Sequence, residues 1–243
     1  MYGWRCRIGV IVPSTNTAVE SEFHRMAPRG VSVHAARMRA TLVEEEALMR
    51  MNELAPEAAL QLLDAEVDVL VYGCTGGSFI HTSNLHGSLG ISRAADQTPL
   101  VLTFDAVLQA LHALAATKII LATPYPEALT CLEERALEEA GFSVLSSCKL
   151  GISKPTDVGR LHHVDAYRLA KKASVSGAEA IFISCTDFPT IEIIDLLEQD
   201  TGLPVVTSNQ AAFWLALRRC GIGDSLSGFG KLLREVTSEE GNF

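Results

Sequence analysis

The chain has 243 residues, 48% of them hydrophobic, and a formal net charge of −9 at pH 7. That length supports one large α/β domain or two small ones with an ample core, and the acidic balance disfavours a nucleic acid or an anionic membrane as partner. No apolar run approaches the ~20 residues of a membrane span, the run before Pro13 is too short for a signal-peptide core, and six cysteines without a C-x-x-C pair favour reduced thiols in a cytoplasmic setting.

Taken in chain order, the predicted strands are RIGVIV (7–12), VSVHAA (31–36), DVLVYG (68–73), PLVLT (99–103), KIILAT (118–123), FSVLSS (142–147), AIFIS (180–184) and PVVTS (204–208). Apolar runs without polar alternation suit strands covered on both faces, as in parallel sheets. Helical patterns fill most gaps, among them 44–65, which Pro56 is expected to break, and 127–141. The pattern is that of a βαβ chain. The tail TSEEGNF is expected to fray, and EEE at 44–46 reads as a solvated helix face.

The chain also repeats itself. At an offset of 111 (185 − 74), IGVIVP at 8–13 falls on IILATP at 119–124, GVSV at 30–33 on GFSV at 141–144, and DVLVYGCT at 68–75 on EAIFISCT at 179–186. A fourth pair, 98–111 with 203–217, aligns at 105 (204 − 99), so the first half carries six extra residues after its Cys-Thr. Two related α/β halves are therefore expected, 1–115 and 116–243, with a helix from about 209 packing back on the first half. The ligand site belongs in the cleft at the carboxyl ends of the strands.

Cys74 and Cys185 are the cysteine pair that the repeat relates, and each is followed by threonine and a turn. A lone cysteine ending an apolar strand is by default a small buried hydrophobe; equivalence under the repeat shifts this pair to catalysis. Backbone N–H groups at such turns favour the thiolate, so both thiols are expected to have lowered pKa values and to act as base and acid, or as nucleophile and proton donor. The turn VPSTNT brings Pro13, Ser14 and Asn16 to the same cleft, and Tyr125, between two prolines, takes the place of Ser14 in the second half. Thr103 and Ser208 read first as helix caps, and Cys6, Cys131, Cys148 and Cys220 as structural thiols. No histidine spacing suits zinc, and GCTGG is neither a P-loop nor a dinucleotide fingerprint. No cofactor or metal is expected.

Two α/β halves with cysteines ending equivalent strands resemble the aspartate/glutamate racemase superfamily. Within it, GVIVPSTNTAVESE resembles the opening of maleate cis-trans isomerases. That resemblance implies Cys74 as nucleophile, Cys185 as second cysteine, and Asn16 and Tyr125 as substrate-binding residues; Thr75, Gly76, Thr186, Pro13 and Ser14 complete the set. It further implies a cofactor-independent isomerase of a maleate-like dicarboxylate and, by analogy, a homodimer. LATPY and PVVTSNQAAFWLAL are similar to arylmalonate decarboxylases, which have glycine in place of Cys74. SCTDFP is similar to amino-acid racemases, which makes Asp187 a mark of that alternative. A carboxylate-binding homologue without turnover is the third reading.

Overall fold

The computed structural model describes residues 2–40, 42–80 and 98–236. His81, His86, most of the six-residue excess region and the tail from 237 lie outside the described residues. Among the described residues, eight strands form two parallel sheets of the same order. β1 (Cys6–Pro13), β2 (Val31–Met38), β3 (Val69–Tyr72) and β4 (Leu100–Leu102) run β2-β1-β3-β4; β5 (Lys118–Thr123), β6 (Ser143–Lys149), β7 (Ala180–Ile183) and β8 (Val205–Thr207) run β6-β5-β7-β8.

The repeat reaches down to individual hydrogen bonds. Ile8 pairs with Val69, and adding 111 to both gives Ile119 and Ala180, which also pair. The Arg7 N–H donates to the Asp68 carboxylate at 2.7 Å, and the Lys118 N–H to Glu179 at 2.9 Å. Every residue of β3 and β7 is buried, which explains their unbroken apolar sequences.

The helices are α1 (Val19–Met26), α2 (Glu45–Asn52), α3 (Ala55–Leu63), α4 (Thr75–Phe79), α5 (Thr103–Ala113), α6 (Glu127–Glu139), α7 (Pro155–Val158), α8 (His163–Ala173), α9 (Ile194–Thr201), α10 (Ser208–Arg219) and α11 (Gly230–Glu235). The break expected at Pro56 falls just ahead of it: Pro56 sits in the first turn of α3, where its missing N–H removes no helical bond. Glu44, Glu45 and Glu46 are exposed.

α10 is buried from Ser208 to Arg218, as expected of a helix lodged between layers. It packs against α5, α1, β3 and β4, all drawn from the first hundred or so residues, as well as against β8. Phe213 meets Phe23 edge to face with ring centroids 5.1 Å apart. Burial of each such side chain contributes about 1.5–3 kcal/mol, so this helix ties one sheet layer to the other. Its cap is Thr207, whose side chain accepts from the Gln210 N–H at 3.2 Å while its own N–H donates to Gln210 Oε1 at 3.2 Å. Ser208, read from the sequence as the cap, is thereby released to face the strand ends.

Candidate active site

β3 delivers Cys74 in an extended conformation, φ −145° and ψ 111°, as the N-cap of α4. Its Sγ accepts from the Gly77 N–H at 3.4 Å. That donor is held from behind. Asn52, the last residue of α2, donates from Nδ2 to the Gly77 carbonyl at 3.0 Å, and the buried Tyr72 hydroxyl donates to Asn52 Oδ1. A Cβ on Gly77 would lie 2.4 Å from the Tyr72 hydroxyl and 2.9 Å from Asn52 Oδ1, so glycine is required for the close approach.

β7 delivers Cys185 differently. Its φ of +93° lies in the left-handed region, a conformation that costs a non-glycine residue on the order of 1–3 kcal/mol and persists where surroundings impose it. Those surroundings are visible. The Cys185 N–H donates to Ser208 Oγ at 3.0 Å, and the Thr75 hydroxyl donates to the same oxygen at 2.8 Å. Ser184, one residue before, donates its hydroxyl to the buried carboxyl of Glu133 on α6. Thr186 donates to the Gly73 carbonyl at 3.0 Å and accepts from Asn16 Nδ2 at 3.0 Å. The two strand ends are thus joined by Thr75–Ser208–Cys185 on one side and Gly73–Thr186–Asn16 on the other.

Both thiols line one cavity. About 50 Å³ of it is open to the centres of water-sized molecules, on the order of four water positions, a size suited to a ligand of few atoms. Pro13, Asn16, Gly76, Tyr125 and Thr186 share the wall with the cysteines, as do Thr15 and Asp187. Leu42, Val43, Leu48, Leu129 and Val158 close its apolar side. Asn16 spends its Oδ1 on the Ala18 and Val19 N–H groups, both at 3.0 Å. One amide hydrogen goes to Thr186, and the second has no partner among the described residues. Thr75 and Ser14 sit apart from the wall. Thr75 is bound to Ser208, while the Ser14 hydroxyl accepts from the Ala40 N–H at 3.0 Å and donates to the Ala40 carbonyl at 3.3 Å.

Electrostatics reverse the sequence-based expectation for the thiols. Cys74 and Cys185 are only 7% and 9% exposed, and burial disfavours the thiolate more than local donors favour it. Cys74 is pushed up to about 11 by burial, opposed by the Gly77 N–H, with the Asp187 charge adding to the rise and the Gly76 N–H opposing it. Cys185 is raised further, by burial and then by Asp187, against the Asp187 N–H and the Tyr125 hydroxyl. Tyr125 itself stays protonated, raised chiefly by burial. Of the two thiols, Cys74 is the less strongly raised. Among the described residues no group of three His, Cys, Asp or Glu is placed to hold a metal ion, and no helix is long and apolar enough to cross a membrane.

A family model described as arylmalonate decarboxylase matches residues 8–233. The chain belongs to this family. It is 28% identical over 242 residues to a maleate isomerase of Geobacillus stearothermophilus, covering 93% of this chain and 96% of that one. It is 27% identical over 232 residues to an arylmalonate decarboxylase of Bordetella bronchiseptica, covering 94% and 96%. Among solved structures, the Nocardia farcinica maleate cis-trans isomerase, in a cysteine-to-serine variant with a covalently bound succinylcysteine intermediate, superposes with a TM-score of 0.89 at 26% identity over 95% and 98% of the two chains. The maleate isomerase and arylmalonate decarboxylase branch and the α/β fold of two parallel-sheet halves that the sequence pointed to are both correct.

Several contributors were not visible as such in the sequence. Ser208 looked like a cap, and Asn52 is an unremarked polar residue ending a helix. Glu133 did leave a signal: it stands 111 residues after Glu22, and both carboxyls are fully buried and raised by burial. Cys6 and Cys220, read as structural thiols, lie beside each other and do not line the cavity.

Proposed function

We propose that this chain is a cofactor-independent cis-trans isomerase of a maleate-like dicarboxylate. The observation that carries the reading is two cysteines on the wall of one small cavity, in a relative of an isomerase that holds a succinylcysteine adduct. Cys74, as thiolate, adds to one alkene carbon, and the electron pair of the double bond moves to the other. Cys185 gives that carbon its thiol proton, leaving a succinyl thioether with a single C–C bond that rotates. Cys185 then takes a proton back, the double bond re-forms in the trans geometry, and Cys74 leaves as thiolate. The Asn16 amide, the Tyr125 hydroxyl and the Thr186 turn bind the carboxylates and the charge that develops beside them. One preorganised donor of this kind is worth about 3 kcal/mol, or roughly a hundredfold in rate.

Asp187 on the cavity wall favours one alternative, an amino-acid racemase in which it would pair with the substrate ammonium. Decarboxylation is less well served, because Cys74 stands where arylmalonate decarboxylases have glycine. Proton NMR in D2O separates these readings. The isomerase converts maleate to fumarate; a racemase would place deuterium on the α-carbon of aspartate or glutamate, and a decarboxylase would release carbon dioxide from an arylmalonate. Residues 1–115 and 116–243 are taken as the two units of a duplication and a homodimer as the working assembly; light scattering at the mass of a single chain would refute the latter.

A further inference from the structure

Asp187 is the one formally charged side chain on the described cavity wall, which has no Lys, Arg or His. It is 6% exposed. Its Oδ1 accepts from the Thr17 N–H at 2.7 Å and from the Thr17 hydroxyl at 3.4 Å, while its Oδ2 is buried with no hydrogen-bond partner among the described residues. A dicarboxylate dianion entering this cleft meets a carboxylate instead of a cation. We propose that Asp187 makes ligand binding proton-linked: the cleft takes up the dianion together with one proton, drawn from water onto the Asp187 carboxyl. This deepens the dicarboxylate reading above and rests on it.

Among the described residues, the groups facing Asp187 do not supply a substitute cation. From β2, the Arg37 guanidinium lowers the Asp187 pKa, but it is engaged with the Asn16 carbonyl at 2.9 Å and with Glu20 of α1. Glu22 on α1 accepts from the Thr190 and Ile191 N–H groups and from Asn209, and Arg25 pairs with Glu192. Beside Gly159, whose added Cβ would lie 2.9 Å from Asp187 Oδ1, Asp157 and Arg160 pair with each other at 3.5 Å. The remaining titratable groups on the wall are Cys74, Cys185 and Tyr125, all protonated at neutral pH. Burial already holds the Asp187 carboxyl at about 6 in the empty site, and a bound dianion raises it further. Once protonated, the carboxyl offers a donor where the carboxylate offered repulsion. A proton also relieves the charge that opposes ionisation of both cysteines.

The sign follows from linkage. Below about pH 6 Asp187 is already protonated and affinity is flat; above it the free site must take up a proton to bind, and affinity falls toward about tenfold per pH unit. Fumarate is the suitable probe, because its carboxyls are ionised above about pH 5.5 and add no slope of their own. Calorimetric titration of the wild-type protein, in buffers of different ionisation enthalpy, should show close to one proton taken up near neutral pH and a Kd that weakens as pH rises. D187N should bind fumarate with a flat Kd and no proton uptake. Negligible proton uptake by the wild type, a measurement independent of any variant, would overturn the proposal, as would a D187N protein that keeps the slope. Failure of maleate and fumarate to bind at any pH overturns the dicarboxylate reading, and this inference with it.

Discussion

The turn at Cys74 and the turn at Cys185 end equivalent strands, yet they are built on different plans. Cys74 is unstrained, caps a short helix and receives a backbone N–H on sulfur. Cys185 carries a positive φ, receives the Tyr125 hydroxyl, and is held through its own N–H by Ser208 and through its neighbour by Glu133. Two sheets of equivalent order supply two similar strand ends; the surroundings then make them differ. Both sulfurs receive backbone N–H groups, Cys74 from Gly77 and Gly76 and Cys185 from Asp187, but burial and the Asp187 charge raise Cys185 further, so Cys74 suits the nucleophile and Cys185 the proton donor.

Removing either sulfur is the strongest way to break this comparison. Cys74→Ala and Cys185→Ala should each lower kcat for maleate by about a thousandfold or more, since groups acting as one unit are lost together. Unchanged far-UV circular dichroism would show that the fold survives. Full activity in either variant would contradict the paired mechanism.

The brace behind Cys185 is tested by pH. Burial holds the Glu133 carboxyl up to about 8, opposed by the Ser184 hydroxyl, whereas in the unfolded chain it titrates at about 4.3. A carboxyl raised on folding contributes stability that is complete below the unfolded value and is lost as pH rises through the folded one. Glu133→Gln keeps an acceptor for Ser184 and removes the titration. Its stability relative to wild type, from urea melts, should therefore increase between about pH 5 and about pH 8, reaching on the order of 2–4 kcal/mol. A difference independent of pH would show that Glu133 is not the titrating group.

The smallest effect concerns strain. Cys185→Gly removes the side chain that disfavours a φ of +93° and should stabilise the fold by about 1 kcal/mol while abolishing turnover. The corresponding change at the extended Cys74 should give no such gain. Equal effects at the two positions would erase the proposed asymmetry.

These particulars also mark what a sequence can and cannot disclose. The strands, their order of appearance and the 111-residue offset are legible because buried strands require apolar runs and a duplication preserves them in register. Pro13, Asn16, Gly76, Tyr125 and Thr186 were reachable because strand-end turns point into the cleft. The direction of the thiol pKa shifts was not, since local N–H donors are inferred from a turn but the burial that outweighs them comes from the facing half. Ser208 was hidden by its likeness to a cap: Thr207 with Gln210 takes that role, and the Ser208 hydroxyl accepts from Thr75 and the Cys185 N–H instead. Asn52 acts through Gly77 from another helix, a partnership that no local pattern encodes.

The most direct test of the central claim is mass spectrometry of the Cys185→Ala protein after incubation with maleate, followed by peptide mapping. A thioether adduct one diacid in mass is expected on Cys74, absent when Cys74 is replaced by alanine. Fumarate production at the wild-type rate with Cys74 unmodified would contradict it.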